Sequence, residues 1–113
     1  MAHGSEPPAP TISTHVLDLE RGLPAAGVRV TLYRLADDGR PVRMTQALTD
    51  DDGRVRDLLE RPLLAGDYRL EFRFGGGGFF EKLSLDLHVT DVSQSYHVPL
   101  LRSSFGLTTY RGS

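Results

Sequence analysis

From Thr11 onward, apolar and polar positions alternate with a period of two, the pattern of strands that bury one face and solvate the other. In residues 67–74 the alternation is complete, with Tyr68, Leu70, Phe72 and Phe74 on one face and Asp67, Arg69, Glu71 and Arg73 on the other. Residues 83–90 repeat it, placing Leu83, Leu85, Leu87 and Val89 inward against Ser84, Asp86, His88 and Thr90. Turn chemistry separates such segments. Asp37-Asp38-Gly39-Arg40-Pro41 predicts a hairpin between strands at 28–35 and 42–49, and Asp50-Asp51-Asp52-Gly53 predicts the next reversal. There the Asp side chains accept hydrogen bonds from turn amides and Gly53 adopts positive φ at little cost, so Arg54 emerges directly from a tight turn. Further strands are expected at 12–19, 55–58, 95–101 and 107–111, about eight in all. Their spacing is that of an all-β, two-sheet antiparallel β-sandwich. Residues 61–66 read as a Pro-containing connection, Gly75 to Gly78 as a flexible loop, and Phe79-Phe80-Glu81-Lys82 as one short helical turn.

Two strands depart from the polar-outside rule, and both carry histidine. In residues 95–101, Tyr96, Val98 and Leu100 form the core face and leave His97, Pro99 and Leu101 opposite. In residues 12–19, Ile12, Thr14 and Val16 share one face, while Ser13, His15, Leu17 and Leu19 share the other. If both outer faces belong to one sheet, the monomer presents an apolar surface bearing two imidazoles, which predicts burial against another subunit. A site between subunits is the expectation.

Length and charge narrow the function. The chain has 113 residues, enough for one domain, expected over residues 11–113, with the Pro-rich residues 1–10 as a disordered tail. Thirteen basic residues against fifteen acidic ones leave a net charge of −2 and no basic field to hold phosphate backbones, so nucleic acid is not an expected partner. No segment has the length to cross a bilayer and the N-terminus lacks a signal pattern, so the chain is expected to be soluble and cytoplasmic, with no membrane partner. With no Cys, there is no disulfide framework, thiol nucleophile or Cys-based zinc site.

Among the remaining groups, imidazole is the side chain whose unperturbed pKa suits proton transfer near neutral pH, which singles out His15 and His97. By sequence alone, each reads first as a hydrogen-bonded structural histidine or a turn or strand surface residue, and only second as a catalyst. His3 falls in the expected tail, and His88 stands beside Asp86 on a solvated face. Arg54 offers a planar fork of donors to a carbonyl-rich or anionic ligand, or simply neutralises Asp50, Asp51 and Asp52. Tyr110 and Ser113 occupy the C-terminal stretch, where Ser113 supplies a hydroxyl. The four-glycine run lacks the Lys and Ser/Thr of a phosphate loop, and no metal or cofactor motif is present.

Four motifs in order change this balance: Ser13-Thr14-His15-Val16-Leu17-Asp18, Asp52-Gly53-Arg54, Tyr96-His97-Val98-Pro99-Leu100-Leu101, and Thr109-Tyr110-Arg111-Gly112-Ser113. From about Ile12 to Ser113 the chain resembles the 5-hydroxyisourate hydrolases, transthyretin-like enzymes of purine degradation. The terminal Tyr-Arg-Gly-Ser is the most specific element, because it separates hydrolases from hormone-carrying transthyretins. The resemblance implies a cofactor-free enzyme that opens 5-hydroxyisourate to 2-oxo-4-hydroxy-4-carboxy-5-ureidoimidazoline on the route from urate to allantoin. It implies a homotetramer, a dimer of dimers, with sites between dimers. Carried over by motif, it implies catalytic roles for His15, Arg54, His97 and Ser113, and substrate binding by His15, Arg54 and Tyr110. The chain departs from the family pattern at Glu81-Lys82, at Ser95 and at Leu107, positions that bear on loops and packing more than on the reacting groups. The alternative is a non-catalytic transthyretin-like tetramer that binds a small ligand without turning it over; a module used purely for assembly or adhesion is a second rival.

Overall fold

The computed structural model describes residues 9–112. In chain order the strands are β1 (Ile12–Asp18), β2 (Leu23–Pro24), β3 (Arg29–Leu35), β4 (Pro41–Leu48), β5 (Arg54–Val55), β6 (Gly66–Arg73), β7 (Lys82–Val89), β8 (Tyr96–Arg102) and β9 (Leu107–Thr109). They form two sheets. One has the order β2-β1-β8-β9, with β5 also paired to β1; the other has the order β4-β3-β6-β7.

Alternation puts the core between the sheets. Ile12, Val16 and Leu100 from the first sheet meet Val30, Leu32, Leu70 and Phe72 from the second, all 0% exposed. Each such side chain contributes roughly 1.5–3 kcal/mol by leaving water. Tyr68 lies in the same layer, its hydroxyl donating to the Leu64 carbonyl at 2.7 Å, so its polar end is satisfied at the core's margin. Along the edge strand β7 the inner face remains half covered, at Leu83, Leu85 and Leu87.

The hairpin expected at Asp37–Pro41 joins β3 to β4, with the Ala36 amide donating to the Arg40 carbonyl at 2.9 Å. Three expectations need correction. The sandwich is mixed rather than wholly antiparallel, because β1 and β8 run parallel, Ile12 opposite Tyr96 through Asp18 opposite Arg102. The chain completes the entire second sheet between these two strands, which is the long connection that parallel neighbours require. A two-residue strand, Leu23–Pro24, was too short to leave an alternating signature. And the helical turn at Phe79–Lys82 does not form: among the described residues there is no helix. The Phe74 amide instead donates to the Glu81 carbonyl at 3.0 Å, so the β6–β7 ladder runs on into this segment and commits it to extended backbone. The glycine-rich remainder is too short and too costly to nucleate a helix. Residues 1–8 of the expected tail lie outside the described residues. Within the described part, no helix is long and apolar enough to cross a membrane.

Candidate active site

The outer face of the first sheet collects the motif residues. Because β1 lies between β8 on one side and β2 and β5 on the other, one side chain of β1 has neighbours from both directions. His15 stands opposite Arg54 of β5 and opposite Pro99 of β8, while Ser13 stands opposite His97. Adjacent strands lie about 4.8 Å apart and diagonal neighbours about 7–8 Å, so His15, Arg54 and His97 share one patch. All three are half-buried. Leu17 and Leu101 pair directly alongside, also half-buried, giving the patch an apolar flank.

The position of Arg54 is set by the turn before it. Asp50 Oδ1 accepts from the amides of Asp52 and Arg54 at 2.9 and 3.0 Å, and the Gly53 amide donates to the Asp50 carbonyl at 2.8 Å. The bond from the Arg54 amide is the leading cause that holds the Asp50 carboxyl below its ordinary pKa. Gly53 has φ +75°, and a Cβ there would meet the Val16 carbonyl oxygen and the Pro24 side chain. The turn therefore seats against β1 only with glycine at this position, closed by the Val16 amide donating to the Gly53 carbonyl at 2.7 Å. Within the Asp cluster, Asp52 pairs with Arg56 at 3.4 Å. Among the described residues Arg54 makes no ion pair, so its guanidinium is available to the patch.

His97 is held more closely. Its Nδ1 lies 2.9 Å from Ser13 Oγ. Its carbonyl accepts from the Gly112 amide at 2.8 Å, and His97 and Gly112 form an antiparallel bridge. Burial first, then the positive charges of Arg54 and His15, push its pKa below the ordinary imidazole value, which favours the neutral ring. A neutral imidazole beside an arginine, with no acid at positions 13, 15, 17, 54, 97, 99 or 101, suits a proton acceptor in a patch that attracts electron-rich oxygens.

Proline shapes the far side. The β8–β9 ladder ends at the pair Leu100 and Thr109, and in the same register Tyr110 falls opposite Pro99. Pro99 has no N–H to give, so pairing stops there and resumes only at His97 and Gly112. Thr109 Oγ1 fills part of the gap by donating to the Pro99 carbonyl at 2.7 Å. Tyr110, 55% exposed, thus follows a ladder break in register with the patch. Arg111 turns elsewhere, stacking on Tyr96 at 4.5 Å and donating to Gln94 at 2.9 Å. Ser113 lies outside the described residues, as does His3. His88 pairs with Asp67 at 2.6 Å on the second sheet, remote from the patch, while Asp86 pairs with Arg69 at 2.7 Å. Ser95 accepts the Thr11 amide at 3.0 Å and so fastens the start of β1. Sequence reasoning passed over two contributors, Ser13 and Gly112. Alternation alone puts Ser13 on the face of His15, whereas the approach of Gly112 to the His97 ring has no signal in the sequence.

The HIUase/Transthyretin family matches residues 12–112. A protein of Deinococcus radiodurans named 5-hydroxyisourate hydrolase is 43% identical over 116 residues, covering 92% of this chain and 97% of its own. Among solved structures, Klebsiella pneumoniae 5-hydroxyisourate hydrolase superposes with a TM-score of 0.79 at 32% identity, covering 92% of this chain and 99% of its own. Sea bream transthyretin in complex with thyroxine superposes with a TM-score of 0.82 at 26% identity, covering 89% of this chain and 93% of its own. Backbone likeness is thus shared with a hydrolase and with a thyroxine-bound transthyretin, and the side chains of the patch have to separate the two.

Proposed function

This chain belongs to the HIUase/Transthyretin family, and we propose that it is a hydrolase that opens 5-hydroxyisourate to 2-oxo-4-hydroxy-4-carboxy-5-ureidoimidazoline in urate degradation. The observation that carries the reading is the convergence of His15, Arg54 and His97 on one sheet face through the pairings His15 with Arg54 and Ser13 with His97. A carrier needs apolar shape; a proton acceptor beside a guanidinium adds chemistry that carriage does not use.

In this reading water attacks the cyclic amide carbonyl and gives a proton to a neutral imidazole, His97 being the one whose charged form the site disfavours. Arg54 donates to the oxygen that gains negative charge. The ring carbon–nitrogen bond then breaks, and the imidazolium, or His15 beside it, returns a proton to the departing nitrogen. Tyr110 lines the substrate, and Ser113 binds the water or the leaving nitrogen.

We further propose that the patch is enclosed in a homotetramer, a dimer of dimers, in the cytoplasm. Its support is the apolar part of the same surface: half-buried Leu17 and Leu101 on the patch, with Leu19 beside it 55% exposed.

The test is an ultraviolet time course in which uricase produces 5-hydroxyisourate from urate, with and without this protein. Loss of the intermediate faster than its spontaneous decay, in proportion to protein and unchanged by chelator, is expected. A folded protein that gives no acceleration overturns the reading in favour of ligand carriage.

A further inference from the structure

Imidazole is a useful base only if one nitrogen carries its proton elsewhere and the other points at the reactant. On a flat, half-exposed sheet face nothing in the strand backbone ensures this, because a histidine there can rotate about χ2 and exchange its ring edges. The surroundings of His97 differ from those of His15 in this respect. Ser13 Oγ meets Nδ1 of His97 at 2.9 Å from one side. On the other edge Gly112 lies so near that a Cβ there would stand 2.7 Å from Cδ2 of the ring and 3.2 Å from Cγ of Pro99. His15 makes no side-chain hydrogen bond among the described residues.

Nδ1 and Cδ2 are the two ring atoms next to Cγ, so contacts on both leave Nε2 and Cε1 as the free edge. We propose that Ser13 and Gly112 are positioning residues that clamp the His97 imidazole between β1 and the C-terminal segment, so that Nε2 is the atom offered to the attacking water. Ser13 holds the ring by accepting the Nδ1 proton, which leaves the Nε2 lone pair to take the proton released by water; the resulting imidazolium keeps its Nδ1–H on Ser13 throughout. Gly112 acts by size, since any side chain would occupy the space in which the ring lies. The two contacts come from opposite sides of β8, one from β1 and one from the segment beyond β9, so neither alone defines the plane of the ring. This rests on the hydrolase reading above, and it assigns His97 rather than His15 the role of base. Among the described residues, the charged groups acting on the ring are Arg54 and His15.

The test uses the full chain with Ser13→Ala, Ser13→Thr and Gly112→Ala, each also combined with His97→Ala. Wild-type protein that does not accelerate loss of 5-hydroxyisourate refutes the hydrolase reading itself and ends the test there. With active wild type, Ser13→Ala and Gly112→Ala are expected to lower kcat by roughly tenfold to a hundredfold with KM little changed, as misplacement of a reacting group does. Ser13→Thr, which keeps the hydroxyl, is expected to retain most of the rate. In the His97→Ala background neither substitution should cost anything more, because both act through a ring no longer present. Nitrogen chemical shifts of His97 in the free protein provide a reading independent of turnover: the Nδ1–H tautomer should dominate in wild type and lose that dominance in Ser13→Ala. Unchanged kcat and unchanged tautomer in Ser13→Ala, or losses that persist in full without His97, overturn the proposal.

Discussion

Replacing Gly53 by alanine tests how the guanidinium reaches the patch, and Gly39 supplies the control. Both glycines adopt positive φ, +75° and +83°, but a Cβ at Gly39 would meet nothing within 4 Å, whereas one at Gly53 would collide with the Val16 carbonyl oxygen. An L-residue in this region costs roughly 1–2 kcal/mol, offset by about 0.4–1 kcal/mol from the stiffer unfolded chain. Gly39→Ala should therefore cost about 1 kcal/mol and leave turnover alone. Gly53→Ala bears the same strain and must also part the turn from β1, breaking the 2.7 Å bond between the Val16 amide and the Gly53 carbonyl, a further ~1 kcal/mol or more. The expected loss is about 2–3 kcal/mol, a fall in Tm of roughly 10 °C. Since Arg54 is the next residue, the movement carries the guanidinium away from His15, and a displacement near 1 Å lowers kcat by about a hundredfold. Thermal melts at equal protein concentration, together with the uricase-coupled time course, measure both quantities. If Gly53→Ala melts with Gly39→Ala and turns over at the wild-type rate, the seating of the turn against β1 does not position Arg54, and that reasoning fails.

Three further outcomes follow from the patch. Arg54→Gln removes a positive charge that disfavours the His97 imidazolium, so a proton NMR titration should show the His97 pKa rising from its depressed value toward that of free imidazole; no rise would place Arg54 outside electrostatic reach. The same depression means that the unfolded chain binds more protons than the folded one below about pH 6.5, so the part of the stability owed to a neutral His97 is present above that pH and lost as the pH falls through the folded-state pKa. Leu101→Asp puts a charge on the apolar flank and should convert a tetramer into smaller species in sedimentation velocity with the β-sheet circular dichroism unchanged; a wild-type chain that sediments as a monomer refutes the assembly proposed here.

Much of the architecture was legible because it is written with a period of two. The complete alternation at Tyr68, Leu70, Phe72 and Phe74 leaves each of those residues 4% exposed or less, and Asp38-Gly39 closes the hairpin that its turn chemistry predicts. The apolar character of Leu17, Pro99 and Leu101 marked the outer face as unusual before any geometry was known. What periodicity does not encode is the order and direction of strands. Nothing local in residues 12–18 or 96–102 specifies that they lie side by side in parallel, and that pairing is what brings Ser13 to His97. Leu23–Pro24 is shorter than one period, and the aromatic pair Phe79-Phe80 looked helical only while the ladder bond between Phe74 and Glu81 was unseen. Arg54 was legible by motif, but that it makes no ion pair among the described residues, while Arg56 takes Asp52, is a matter of three-dimensional reach.

The partnership of β1 and β8 also governs when the patch can exist. Ser13 and His97 are separated by 84 positions, and closing so long a loop is entropically slow. During synthesis at about 5–20 residues per second, β1 is made first and must wait several seconds for the strand that completes it. Meanwhile the hairpins of the second sheet, whose partners are close in sequence, can form. A nascent chain would then carry an intact β3–β4 hairpin and β6–β7 pair before the contacts of His97 to Ser13 and Gly112 exist, so reactivity would be the last property acquired.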